Sequence, residues 1–205
     1  MFISFEGADC SGKTTQIDLV AKQLEDKGYS CYVLKTPSLE KSIDSFKNID
    51  ILKILDIYRD DVKFFLYLAR ETTIEEKIQD FLQIYDFVLT DRSIDSTLVY
   101  NKLLMNFRGP KVLYDKLLKI YYQYYLKPNL TFIFTASQRD FMQRLDKRNK
   151  LRIYEKIPLI MKIQKEFINL AKKDKRFVII NTTNTNIEGT SSKIADAILR
   201  RKKCK

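Results

Sequence analysis

The sequence predicts an α/β chain with a doubly wound, five-stranded parallel sheet flanked by helices. Three observations predict it. Five apolar runs have strand length, amphipathic patterns of helical period separate them, and a turn of small residues at 7–12 follows the first run. Residues 2–5 form the first strand, and the turn leads into a helix with Ile17, Val20, Ala21 and Leu24 on one face. Lys27 and Gly28 stop that helix, as a basic last turn followed by a C-cap glycine, and residues 30–34 are β-prone. The first unit is therefore βαβ. A long helical pattern follows Pro37, with Val62, Phe65, Leu66 and Ala69 in one stripe and Ile74, Ile78 and Leu82 continuing it. Residues 87–90, 130–134 and 177–180 are the remaining strands, short enough to be buried in a parallel sheet. Ligands of such sheets bind beyond the carboxyl ends of the strands.

A length of 205 residues suits one α/β domain, here taken as residues 1–205. With 45% hydrophobic and 31% charged residues, disordered and fibrous classes drop out. The formal net charge of +11 attracts anions, which suits a polyphosphate and equally suits nucleic acid, but no nucleic-acid-binding signature accompanies it. Cys10, Cys31 and Cys204 form no CxxC pair, so neither a disulfide framework nor a zinc site is expected, and reduced thiols suggest the cytoplasm. Histidine is absent, which removes Ser-His-Asp and Cys-His chemistry and histidine acid/base catalysis. The start of the chain reads as a strand rather than an export signal, and no apolar stretch reaches membrane-spanning length.

Gly7, Ala8, Asp9, Cys10, Ser11, Gly12, Lys13 and Thr14 fit the pattern GxxxxGK[ST], and they lie after an apolar strand at the first turn of a helix. The glycines let consecutive backbone N–H groups point at one phosphate, and the helix N-terminus adds partial positive charge. Lys13 is expected to bridge the β- and γ-phosphates of ATP, and Thr14 to offer its hydroxyl to Mg²⁺. Asp91 ends the third strand, where it reaches the metal or merely caps the next helix. The segment 146–156, with Lys147, Arg148, Lys150 and Arg152, reads as a mobile lid or as a plain solvated basic loop.

FEGADCSGKTT at 5–15, ARETTIEE at 69–76, TDRSIDSTLVYN at 90–101 and LKPNLTFIF at 126–134 together resemble the thymidylate kinase family of P-loop nucleoside monophosphate kinases. The resemblance implies transfer from ATP to dTMP, giving dTDP for dTTP biosynthesis, with Mg²⁺ and commonly as a homodimer. It implies an acceptor site containing Asp9, Leu66, Arg70, Arg92, Ser96, Thr97, Tyr100 and Asn101, in which Arg92 holds the acceptor phosphate. Cys10 stands where some members carry an arginine in the loop, so the transferring phosphate is expected to rely on Arg148 and Arg152 of the lid. The chain departs from the family pattern at four places. Leu66 replaces a phenylalanine that stacks on the base, Ser93 replaces the tyrosine of DRY, Asn101 replaces glutamine, and the segment around Pro37 lacks the usual arginine. Base stacking is worth ~1–3 kcal/mol, which Tyr67 or Tyr100 could restore; Leu66 reads equally as a plain core residue.

A monophosphate acceptor is already anionic at neutral pH, so positioning and charge screening suffice without a general base. Two rival readings remain. A deoxynucleoside kinase would deprotonate a hydroxyl, and Thr36 and Pro37 stand where such kinases carry a glutamate, with Glu40 further on. A diverged, non-catalytic nucleotide-binding protein would tolerate the substituted Leu66 and Ser93. The aromatics Phe64, Phe65, Tyr121 and Tyr122 serve either a dimer interface or the core. Arg152→Ala is expected to cut kcat by orders of magnitude while ATP affinity holds; wild-type turnover in steady-state kinetics would overturn the lid assignment.

Overall fold

The structure is a computed structural model that describes residues 1–35, 60–104, 110–147 and 156–203. In chain order the elements are β1 (Phe2–Gly7), α1 (Lys13–Glu25), β2 (Cys31–Lys35), α2 (Asp60–Ile84), β3 (Phe87–Asp91), α3 (Ile94–Leu104), α4 (Lys111–Tyr124), β4 (Leu130–Thr135), α5 (Gln138–Asp146), α6 (Ile157–Ala171), β5 (Phe177–Asn181) and α7 (Ile187–Lys203). All strand pairs are parallel, in the order β2-β3-β1-β4-β5, as the alternating pattern predicts. The strands run one residue or more further at their carboxyl ends than the apolar runs suggest. The ladder carries Phe5 opposite Asp91 and Gly7 opposite Phe134, so polar residues at the sheet's upper rim are held in register with the core.

β1 is buried along its whole length and shows why a short strand can anchor a site. Its alternate side chains serve opposite faces. Ile3 and Phe5 pack with Phe132, Phe134, Ile17, Leu24, Ile194 and Ile198 beneath α1 and α7. Phe2 joins Val88, Ile74 and Ile78 beneath α2. The Phe5 ring lies 5.7 Å from those of both Phe132 and Phe134, pairs worth ~0.5–1.5 kcal/mol each beyond their burial. Under α3 and α6, Ile133 packs with Val99, Ile160 and Phe167.

The stripe expected at the start of α2 is corrected. Phe64, Glu71, Ile74 and Ile78 form the buried face, whereas Phe65 is 53% exposed and Ala69 is also exposed. Five consecutive apolar or aromatic residues from Phe64 to Leu68 leave the helical phase undefined by periodicity alone. The aromatics Phe64, Tyr121 and Tyr122 are used inside the chain: Phe64 is fully buried, Tyr121 hydrogen-bonds with Thr72, and Tyr122 with Asp95.

Behind the sheet rim, Asp95 in the first turn of α3 receives both terminal nitrogens of Arg176 at 2.7 Å. Arg176 also donates to Thr131 Oγ1 at 2.6 Å and to the Tyr122 hydroxyl at 2.5 Å, and lies 4.0 Å from the Phe177 ring centroid. Asp95 is completely buried and Arg176 nearly so, so the pair ties α3 and α4 to the β4–β5 edge in a low-dielectric setting. Removing one partner strands the other's charge. Arg176→Met is expected to cost about 3–5 kcal/mol in urea unfolding, and adding Asp95→Leu should recover most of that loss.

Candidate active site

The turn between β1 and α1 takes conformations that few side chains tolerate. Gly7 has φ 138°, Cys10 φ 63° and Gly12 φ 97°. A Cβ on Gly7 would approach the Phe134 carbonyl oxygen to 2.5 Å, because parallel pairing with β4 brings that strand against the turn. Gly12 occupies the N-cap of α1 with no side-chain cap, and no acidic residue sits in the first turn, so the helix terminus keeps its positive character. Lys13 reaches back over the turn, its Nζ donating to Gly7 O at 3.1 Å and Ala8 O at 2.8 Å. Burial lowers the Lys13 ammonium to about 8, with the charge of Arg92 adding to the shift and Asp91, Asp9 and Glu6 opposing it. An ammonium desolvated beside a second cation gains strongly from an anion.

Thr14 Oγ1 donates to Asp91 Oδ2 at 2.8 Å, so the hydroxyl from α1 and the carboxylate ending β3 share one point at the rim. Both are oxygen donors of the kind a hard divalent cation takes. Among the described residues no group of three or more His, Cys, Asp or Glu side chains converges on a point. A cation at this pair would therefore complete its shell with water and phosphate oxygens, as Mg²⁺ prefers. The cleft over the turn encloses about 600 Å³ and is lined by Lys13, Thr14, Asp91, Arg92, Arg144 and Thr182 among others, a size suited to a nucleotide tail.

Arg92 is the hub of the site. It has φ 79°, a left-handed conformation that costs a non-glycine residue ~1–3 kcal/mol. Its N–H donates to Phe5 O at 3.0 Å, which clamps that backbone to β1. The side chain then turns under the glycine loop. Nη1 donates to Gly7 O and to Ser96 Oγ, each at 3.0 Å, and Nη2 pairs with Asp9 Oδ1 at 2.6 Å. The guanidinium lies 5.1 Å from the Tyr100 ring centroid. Burial works against its charge, but Tyr100, Asp9 and Glu6 outweigh burial and move the Arg92 pKa upward. Asp9 from the glycine turn thus meets Arg92, Ser96 and Tyr100 from the segment after β3.

A second group gathers between α2 and α3. Arg70 is paired with its neighbour Glu71, whose Oε1 also accepts from Thr97 Oγ1 at 2.9 Å. Asn101 Nδ2 donates to Thr97 O at 2.8 Å. Arg70 lies over the Tyr67 ring, and Leu66 is half-buried on the same helix. Among the described residues, Arg70 Nε, Glu71 Oε2 and Asn101 Oδ1 are buried without a hydrogen-bond partner. Buried polar atoms are rarely left so, and these three belong to side chains at the seam of α2 and α3.

Arg148 and Arg152, with most of segment 146–156, lie outside the described residues, as do Thr36, Pro37, Glu40 and Cys204. Three residues at the site are not named by the motif reading. Glu71 lies within a motif but carries no expected role, and Arg144 of α5 donates to Cys10 O at 3.0 Å and to Thr182 O at 2.8 Å, bracing the loop from across the sheet. Nothing in the local pattern of Arg144 signals this contact. Glu6 does carry a signal, as a carboxylate inside an otherwise apolar strand. It is fully buried; burial first, and the Asp95 carboxylate second, raise it to about 7 against the Ser96 and Ser93 hydroxyls and the charge of Arg92.

A family model described as thymidylate kinase matches residues 5–194, nearly the whole chain. The chain belongs to the thymidylate kinase family. It is 34% identical over 190 residues to the thymidylate kinase of Bartonella quintana, covering 89% of this chain and 87% of that protein. It is 31% identical over 183 residues to that of a Thermoanaerobacter species, covering 88% of each. The solved structure of Candida albicans thymidylate kinase superposes with a TM-score of 0.74 over 98% of this chain and 92% of that one; at 21% identity this likeness concerns the fold. In this thymidylate kinase family chain Gly7 is the described glycine least tolerant of a side chain. Gly7→Ala is expected to abolish measurable ATP binding in calorimetry and to lower stability, since the added methyl meets backbone rather than a movable side chain.

Proposed function

We propose that the chain transfers the γ-phosphoryl group of ATP to dTMP, giving dTDP. The observation that carries this reading is the position of Arg92: one guanidinium touches the loop that would hold the donor, through Gly7 O and Asp9 Oδ1, and Ser96 on α3, where the family places the acceptor. A rigid planar fork of that kind suits a phosphate better than an ammonium does. The dTMP oxygen that attacks is already anionic, so the chain needs no histidine; its residues hold, align and screen. Gly7, Ala8, Asp9, Cys10, Ser11, Gly12, Lys13 and Thr14 would hold the donor phosphates, with Lys13 screening the β- and γ-oxygens. Arg92 would hold the acceptor phosphate, and Arg70, Ser96, Thr97, Tyr100 and Asn101 would surround the acceptor sugar and base. In the position the family gives to a stacking ring, Leu66 supplies only apolar contact, and Tyr67 beside Arg70 or Tyr100 beside Arg92 would supply the aromatic face.

Thr14 and Asp91 would hold Mg²⁺, which when bound neutralises phosphate charge and orients the oxygens for in-line transfer. Arg148 and Arg152 complete the proposal as the cations that meet the charge developing on the transferred group. The same reading takes residues 1–205 as one domain with segment 146–156 as a mobile lid. A cytoplasmic homodimer is part of the proposal. In its support, α4 presents Val112, Leu113 and Ile120 more than half exposed, a dense apolar row for a helix surface. Among the described residues no helix is long and apolar enough to cross a membrane.

A coupled assay of ADP release with dTMP, thymidine, dUMP, dCMP, dGMP and AMP tests the activity. The highest kcat/KM is expected with dTMP and no turnover with thymidine. Turnover of thymidine but not dTMP would instead establish a deoxynucleoside kinase, and ATP binding with no ADP from any monophosphate a non-catalytic nucleotide-binding protein.

A further inference from the structure

Glu6 is fully buried at the end of β1, on the face opposite Phe5, and points at the turn between β3 and α3. Its carboxylate is surrounded by donors. Oε1 accepts from the Ser93 backbone N–H at 2.6 Å, from Ser93 Oγ at 2.8 Å and from Ser4 Oγ at 3.1 Å. Oε2 accepts from Ser96 Oγ at 2.5 Å. Two of these partners bear directly on Arg92. The Ser93 N–H belongs to the peptide that follows the left-handed Arg92, so Glu6 clamps one side of that backbone while Phe5 O clamps the other. Ser96 Oγ gives its proton to Glu6 and with its lone pair receives Arg92 Nη1 at 3.0 Å. Ser96 is thus a relay, occupied on both sides, between a carboxylate and the guanidinium.

We infer that Glu6 is the positioning residue for the acceptor phosphate, setting the backbone of Arg92 through Ser93 and its guanidinium through Ser96. The inference rests on the reading that Arg92 holds that phosphate. The competing explanation is a buried carboxylate satisfied by three serines for stability alone. The two differ in direction: a stability role weakens both substrates together, whereas the relay acts on the acceptor. Arg176 and Asp95 stand behind the same turn, joined to each other, so Glu6 rather than Asp95 faces Ser96.

Glu6→Gln preserves the volume and the oxygen that accepts from Ser93, but turns an amide donor toward Ser96 Oγ, which already accepts from Arg92. Ser96→Ala removes the relay and leaves Glu6 its other donors. Each variant is expected to raise KM for dTMP roughly tenfold, the weight of one hydrogen bond to a charged group, with KM for ATP and Tm close to wild type. The double variant should be no worse than the poorer single, because both break one chain. Arg92→Lys is the reference and should raise KM for dTMP at least as much. If Arg92→Lys raises it but Glu6→Gln and Ser96→Ala do not, the relay is wrong. Multiplicative effects in the double variant, or parallel losses for ATP and dTMP with a fallen Tm, would replace it with separate or purely structural roles. An unchanged KM in Arg92→Lys overturns the acceptor reading and the relay with it. Should Glu6→Gln not fold, Glu6→Asp, which draws the carboxylate back from Ser96 without touching the acceptor site, takes its place: an unaltered KM for dTMP rejects the relay.

Discussion

The contact of Arg92 with the carbonyl of Gly7 and the carboxylate of Asp9 is the constraint on which the site depends. It joins the end of β3 to the loop after β1, neighbours in the sheet whose onward connections leave in opposite directions. At such a switch point the chain opens a crevice, and two ligands can be addressed from one floor. A phosphoryl transfer enzyme needs this, because donor and acceptor must meet in line with little freedom left to either. The left-handed backbone at Arg92 is the local cost of aiming one side chain from β3 beneath a loop that belongs to β1. It persists because backbone bonds on both sides hold it.

Charge is distributed to match. Lys13, Arg92 and Arg144 border the cleft together with Asp9, which pairs with Arg92, and Asp91, which accepts from Thr14. The carboxylates keep the cations oriented without neutralising the region, so the field still favours a polyphosphate. Burial first, and the Arg92 charge second, lower the Lys13 ammonium against these carboxylates. The overall excess of 37 Lys and Arg over 26 Asp and Glu adds attraction at longer range.

Much of this was legible in the residues. The glycine turn announces itself because few side chains fit its backbone, and the strands because buried parallel strands are short apolar runs. The cluster of Asp9, Arg92, Ser96 and Tyr100 was legible through motif resemblance, since both segments lie at strand ends. The phase of α2 was not, because its apolar residues are contiguous rather than periodic. Arg144 was hidden for a different reason: its partner Cys10 is 134 positions away and accepts through a backbone carbonyl, a contact that leaves no trace in side-chain chemistry. Glu6 stood in plain view inside an apolar strand, yet only the paired strands and the α3 turn reveal which donors it serves.

One face of the central strand carries hydrocarbon and the other, toward its end, carries Ser4 and Glu6, both wholly enclosed. Thr90 on β3 and Thr131 on β4 are just as enclosed beside them. The face that carries Glu6 is therefore mixed, with hydroxyls set among Phe2, Val88 and Ile133, whereas the Phe5 face is hydrocarbon throughout the central strand. A protein engineer seeking heat tolerance by filling interiors with aliphatic groups would find hydrocarbon neighbours throughout the Phe5 side, but on the Glu6 side a replacement of Ser4, Ser93 or Ser96 would strip a donor from an enclosed carboxylate.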